Sequence, residues 1–265
     1  MRLNKYVAET GICSRREADA WIAAGRVSVN GAVATLGTQV EDGDSVCVDG
    51  APVGAKSQRV YIALNKPVGI TCTTETHVPG NIVDFVGHRE RIFPVGRLDK
   101  DSEGLILLTS DGDIVNEILR VENRHEKEYL VTVDRPLTPE FMAGMAEGVD
   151  ILGTRTLPCV VSAQGRSRFR IVLTQGLNRQ IRRMCTAFDY TVRRLQRVRI
   201  VNIELGDLPV GKWRDLSEAE LRGLLPQRFG TAPRTLLTLK PAARPATAPR
   251  SPPGPGAGTA GRRRD

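Results

Sequence analysis

The chain has 265 residues, 40% of them hydrophobic, with 38 Lys and Arg against 30 Asp and Glu, a net charge of +8. That is enough apolar material for one medium domain and one small one, and the absence of any run of about 18 apolar residues, with no apolar leader after Met1-Arg2-Leu3-Asn4-Lys5, predicts a soluble cytoplasmic protein with no membrane partner. Five scattered cysteines (Cys13, Cys47, Cys72, Cys159, Cys185) without a Cys-x-x-Cys, and three isolated histidines, argue against a disulfide framework or a metal site and suit a reducing compartment.

The first fifty residues read as a module of their own. Leu3, Tyr6 and Val7 fall at helical spacing, and Ser14-Arg15-Arg16-Glu17 is a capping box opening a second helix with Ala18, Trp21 and Ile22 on one face. Gly25 ends that helix. Arg26-Val27-Ser28-Val29, the turn pair Asn30-Gly31 and Ser45-Val46-Cys47-Val48 predict short strands packed under the two helices. Arg2, Lys5, Arg15, Arg16 and Arg26 stand at helix starts and edges, where they are candidates for engaging phosphates without reading bases. Residues 51–58 are turn-rich and predict a linker.

A second domain is expected over 59–228. Val60-Tyr61-Ile62-Ala63-Leu64 is a buried strand entering the sharp turn Asn65-Lys66-Pro67-Val68-Gly69, where Lys66 is either an RNA contact or a surface lysine. The most informative stretch runs from Phe93 to Asp113. It sets Asp99 beside Arg97 in a glycine-flanked loop, ahead of a strand at Leu105–Leu108. An ionised Asp in a cleft accepts hydrogen bonds only, and acts as a nucleophile where a cation holds and orients it. Alternation in an extended segment puts Arg97 and Asp99 on the same side. Ser110-Asp111-Gly112-Asp113 is expected to cap a helix carrying Ile114, Val115, Ile118 and Leu119, its acids serving as caps and not as metal ligands.

Strands at 128–133, 168–174 and 198–205, with helices between, describe a mixed α+β domain, closed by a helix that Ser217 and Glu220 cap reciprocally. Seven arginines lie between Arg179 and Arg199 against one acid, Asp189, and such a block reads as a phosphate-facing surface. Residues 231–265 hold seven basic residues and one acid, net +6, which leaves +2 for residues 1–230. From 229 onward the Pro, Ala, Gly and Arg content builds no core, and a disordered basic tail is expected.

The first module resembles the S-four-like RNA-binding domain through Arg2-Leu3-Asn4-Lys5-Tyr6, Ser14-Arg15-Arg16-Glu17-Ala18 and Gly25-x-Val27-x-Val29-Asn30-Gly31. The second resembles the catalytic domain of bacterial RsuA-family pseudouridine synthases. The contiguous match from Phe93 to Asp113, the lead-in Ile62 to Gly69, the segment Glu126-Lys127-Glu128-Tyr129 and Asn178-Arg179-Gln180-Ile181-Arg182-Arg183 carry it, and together they are closest to the branch that modifies large-subunit ribosomal RNA. The resemblance implies an α+β fold, a mixed sheet with a central cleft, and isomerisation of uridine to pseudouridine without a cofactor. It makes Asp99 the catalytic carboxylate and Arg97 the residue that fills the space of the flipped nucleotide. Tyr129 is then the ring packed on uracil and Arg182 the base paired with Asp99, while Arg179 and Arg183 are left to meet phosphates.

Two readings from other classes stand beside this one. A non-catalytic ribosome-assembly factor would use the same basic surfaces but has no use for a carboxylate among phosphates. A glycoside hydrolase would need Asp99 and Asp101 to flank one bond, which two positions in a single loop do not guarantee.

Overall fold

The computed structural model describes residues 1–54, 59–75, 77–120 and 123–230; the expected tail therefore lies outside the described residues from 231 onward, as do residues 55–58 of the expected linker. Helices α1 (Leu3–Glu9) and α2 (Arg15–Ala23) cover a four-stranded sheet of β1 (Val27–Val29), β2 (Ala32–Val33), β3 (Val46–Val48) and β4 (Ala51–Pro52), in the order β2-β1-β3-β4. Ser14 accepts from the Glu17 amide, and the Glu17 carboxylate accepts from the Ser14 amide at 2.6 Å, which is the reciprocal cap its sequence predicts. Asn30 and Gly31 both take positive φ, +51° and +82°, and turn β1 directly into β2. Leu3, Val7, Ala18, Ile22, Val27 and Val46 form a core of their own. Ala51 and Pro52, expected in the linker, instead pair with Val48 and Cys47 and extend this sheet.

The larger part is built on a nine-stranded mixed sheet. Its elements in chain order are β5 (Tyr61–Lys66), α3 (Ile82–Val86), β6 (Phe93–Val95), β7 (Glu103–Thr109), α4 (Asp113–Leu119), β8 (Lys127–Val133) and α5 (Pro139–Glu147). A small hairpin of β9 (Asp150–Ile151) and β10 (Thr154–Arg155) precedes β11 (Val160–Gly165), β12 (Arg168–Leu173) and α6 (Gln180–Thr186). The chain then forms β13 (Val192–Ile200), β14 (Ile203–Glu204), β15 (Trp213–Asp215), α7 (Glu218–Leu224) and α8 (Pro226–Phe229). Strand order is β11-β12-β8-β13-β7-β5-β15, with β6 on β7 and β14 on β13; the central pair β13 and β7 is parallel and the others antiparallel.

Several boundaries differ from expectation for physical reasons. The strand predicted over 198–205 begins at Val192 and stops at Ile200, where Val201 turns at φ +53° into β14. Its arginines and the register shift between Arg197 and Arg199 break the alternation, yet Leu195, Arg197 and Ile200 are all buried. Gly112, not an acid, occupies the cap position of α4, while Asp111 accepts from the Asp113 amide at 3.0 Å and from the Tyr61 hydroxyl at 2.9 Å. At the end of the chain's core, Phe229 meets Tyr61 edge-on at 5.6 Å, one residue past the expected boundary. Asp113 faces the small domain, with Lys5 Nζ at 2.7 Å and Arg15 at 3.7 Å, and Arg91 stands 3.7 Å from Glu17.

Candidate active site

The Asp99 loop joins β6 to β7 and is fixed from below. Leu98 is buried and its amide approaches Cys72 Sγ at 3.4 Å, and Arg97 and Asp99 on either side of it line a cavity together with Leu98 itself. The Ser102 amide donates to the Asp99 carbonyl, and the Gly69 amide to the Lys100 carbonyl at 2.7 Å. Lys66 is neither an RNA contact nor a surface lysine. It is fully buried and its Nζ donates to the Pro67 and Ile70 carbonyls, both at 2.9 Å, which sets the shape of the turn that supports the loop. Burial pushes its ammonium below the ordinary lysine range, against the pull of Cys72, Asp101 and Asp99.

The cavity has a volume of about 470 Å³, the size of a small-molecule site. Asp99 and Arg97 form one wall, the β12 to α6 turn from Gln175 to Arg182 another, and Tyr129, Lys127, Leu195, Arg197 and Ile200 of the central strands the floor. Tyr129 touches two of the core clusters, so its ring lies on the seam between the halves of the sheet. Arg97 is exposed and has no ion-pair partner among the described residues. An aspartate, a flat aromatic face and an exposed guanidinium around one cavity can hold a planar base against a sugar.

The basic partner of Asp99 differs from expectation. Arg182 does not reach Asp99 as an ion-pair partner: its Nη2 donates to the Asp101 carbonyl at 2.9 Å and to Ser102 Oγ at 3.1 Å, and its Nε stands 3.5 Å from the Asp101 carboxylate. Arg179 approaches Asp99 instead, at 3.6 Å, while holding both Asp101 oxygens at 3.0 and 2.9 Å. The reason lies in the backbone, since Arg179 takes a left-handed φ of +49° at the start of α6 and so turns away from the helix face that carries Arg182. Arg183 folds back on Asn178 at 3.1 Å. Hydrogen bonds from Arg179, joined by the charge of Arg182, hold the Asp101 carboxyl below the usual aspartate range despite some desolvation.

The arginine block between 179 and 199 is not an open phosphate-facing surface. Arg179 and Arg182 meet Asp101, Arg194 pairs with Glu103 and Arg199 with Glu126 and Glu128, so acids from elsewhere in the chain pair with four of its seven arginines. Among the small domain's candidates, Arg26 is held by Asp49 at 2.9 and 2.5 Å and stacks on Trp21, and Lys5 and Arg15 face Asp113. Arg2 and Arg16 alone of the five are exposed without a side-chain partner among the described residues. Sequence reasoning missed Arg197 and Lys127 as cavity residues; the Lys-x-Tyr spacing, which places Lys127 and Tyr129 on one face of β8, was the available signal for the second.

A small two-helix module joined to a mixed sheet with an aspartate loop beside a cavity is an arrangement shared with RNA-modifying enzymes. Residues 60–187 match the RNA pseudouridylate synthase family and residues 1–46 the S4 domain. The dual-specificity RNA pseudouridine synthase RluF of Escherichia coli is 58% identical over 223 residues, covering 83% of this chain and 77% of that protein. The ribosomal large subunit pseudouridine synthase B of Vibrio cholerae is 38% identical over 230 residues, covering 81% of this chain and 71% of that one. A solved pseudouridylate synthase superposes with a TM-score of 0.63 at 29% identity, over 84% of this chain and 99% of that chain. The chain belongs to the RNA pseudouridine synthase family. It is an isomerase that converts uridine in RNA to pseudouridine. Among the described residues no helix is long and apolar enough to cross a membrane.

Proposed function

We propose that the chain isomerises a uridine of large-subunit ribosomal RNA, and that Asp99 carries the reaction in the cavity it shares with Tyr129 and Arg97. The observation behind this reading is convergence: residues 30 positions apart in the chain, Asp99 and Tyr129, line one cavity, with a cation 3.6 Å from the carboxylate. The names of the relatives in Escherichia coli and Vibrio cholerae support RNA as the substrate, and the second supports the large ribosomal subunit.

In this mechanism the target nucleotide leaves the stack, at a cost of a few kcal/mol, and Arg97 occupies the space it vacates. Tyr129 packs against the uracil face. Asp99, with Arg179 3.6 Å away, acts at the sugar or the base as the N-glycosidic bond breaks, and the base turns to rejoin through carbon 5. Arg182 acts through the loop, by fixing the Asp101 carbonyl and Ser102, and not by gripping Asp99. Arg2 and Arg16, with Arg15 at the domain edge, are the proposed phosphate contacts of the small domain; the reaction takes place in the cytoplasm and serves ribosome biogenesis.

The test is Asp99→Asn in the full chain. It removes charge and keeps shape, so isomerisation is expected to vanish while RNA affinity stays within about threefold, because affinity rests on phosphates. Near-normal turnover by the variant would overturn the assignment. Mapping pseudouridines across ribosomal RNA from cells with and without the protein identifies the uridine, and loss of a small-subunit position alone would overturn the large-subunit reading.

A further inference from the structure

Strand register places five residues in one row across the sheet: Ile171, Tyr129, Arg197, Gly104 and Lys66, each paired with the next. Arg197 is therefore the direct neighbour of the tyrosine proposed to pack on uracil. On its other side stands a glycine. A Cβ at position 104 would lie 2.2 Å from the Arg197 carbonyl oxygen, so no side chain fills the row beside the guanidinium.

Arg197 is 4% exposed and lines the floor of the cavity. Its Nε donates to the Leu105 carbonyl at 2.6 Å, but its Nη2 is buried with no acceptor among the described residues. Lys127 lines the same cavity, its Nζ donating among the described residues only to the His125 carbonyl at 3.2 Å. Burial first and the Arg197 charge second hold Lys127 below the ordinary lysine range. The arrangement contrasts with Arg170, Arg179, Arg194 and Arg199, each of which meets a carboxylate. Two cations lining one cavity together with Leu107, Ile118 and Ile200, with a donor left empty, suit an oxygen that bears negative charge.

We infer that Arg197, with Lys127 beside it, is a further catalytic residue: its free Nη2 donates to a carbonyl oxygen of the target uracil and stabilises the charge that reaches that oxygen. This rests on the reading that Asp99 and Tyr129 hold the target nucleotide in this cavity. When the C1′–N1 bond breaks, its electron pair leaves with N1 and spreads over O2 and O4 of the ring. The base turns, C5 bonds to C1′, the proton on C5 departs and N1 takes up a proton. Atoms and electrons balance without any co-reactant, and the charge on the freed base is greatest between the two bond changes, which is when a buried donor contributes most.

The experiment is a cycle between enzyme and substrate, read as single-turnover rates at saturating enzyme. RNAs carrying uridine, 2-thiouridine or 4-thiouridine at the target are compared with wild type and Arg197→Lys, which keeps a donor for the Leu105 carbonyl. On uridine the variant is expected to be about 100-fold slower. Sulfur is the weaker acceptor, so one thio substitution should slow the wild type and slow Arg197→Lys at least fivefold less, and that position identifies the contacted oxygen. A purely structural Arg197 predicts independent factors at both positions, and that result overturns the inference. If Arg197→Lys does not melt cooperatively, Arg197→Gln carries the same cycle, and independent factors there overturn it equally. Asp99→Asn run alongside separates the two readings: an active Asp99→Asn refutes the assignment of the site, whereas an inactive one with uncoupled thio effects refutes only the role of Arg197.

Discussion

Arg179 holds both carboxylate oxygens of Asp101 and brings the same guanidinium to 3.6 Å from Asp99. One planar fork thus ties the β12 to α6 turn to the loop that presents the reactive aspartate, which a flexible ammonium cannot do in the same way. Arg179→Lys is expected to lower the single-turnover rate at least tenfold, and Arg183→Lys, whose side chain turns to Asn178, to leave it within about twofold. Equal losses would show that Arg179 does not position Asp99.

The acid limb of Asp101 follows from the same clasp. Its folded pKa is depressed, so the clasp is complete above the ordinary aspartate value of about 3.9 and is lost as pH falls through the lower folded value. In Arg179→Gln the Asp101 titration is expected to move up toward that ordinary range, as followed by carboxyl NMR shifts. An unchanged midpoint would assign the depression to Arg182.

Gly104→Ala should be among the most damaging single changes in the protein. The new Cβ would meet the Arg197 carbonyl oxygen and amide nitrogen at 2.2 and 2.7 Å, both backbone atoms, at a φ of +103°. The parallel contact of β7 with β13 must then open, and a loss of about 3–5 kcal/mol is expected in denaturant unfolding. A loss under about 1 kcal/mol would mean that the two central strands separate easily.

Removal of residues 1–54 is expected to leave a cooperative thermal transition with RNA affinity reduced, because the small domain has its own core. We propose it as an independent folding unit. The ion pairs that join it to the rest, Lys5 and Arg15 with Asp113 and Arg91 with Glu17, are partly exposed and contribute about 0–1 kcal/mol each. Loss of the cooperative transition would show that the two parts fold as one.

What could be read along the chain is what near neighbours decide. The reciprocal caps at Ser14 with Glu17 and Ser217 with Glu220 and the Asn30-Gly31 hairpin all act within a few residues. The small elements were legible for that reason, and the mixed sheet and the proposed aspartate and tyrosine came from the motifs that mark the family. The charge balance was not legible. Arg179 finds Asp101 across 78 positions and Arg199 finds Glu128 across 71, so a block that is basic in sequence is largely neutralised in space. Lys66 sits in the core because its ammonium closes a turn, and Arg197 lies opposite Tyr129 because β13 is inserted between β8 and β7. Periodicity states which residues share a face of a strand, but strand order and register decide which side chains become neighbours, and those are set by the packing of the whole sheet.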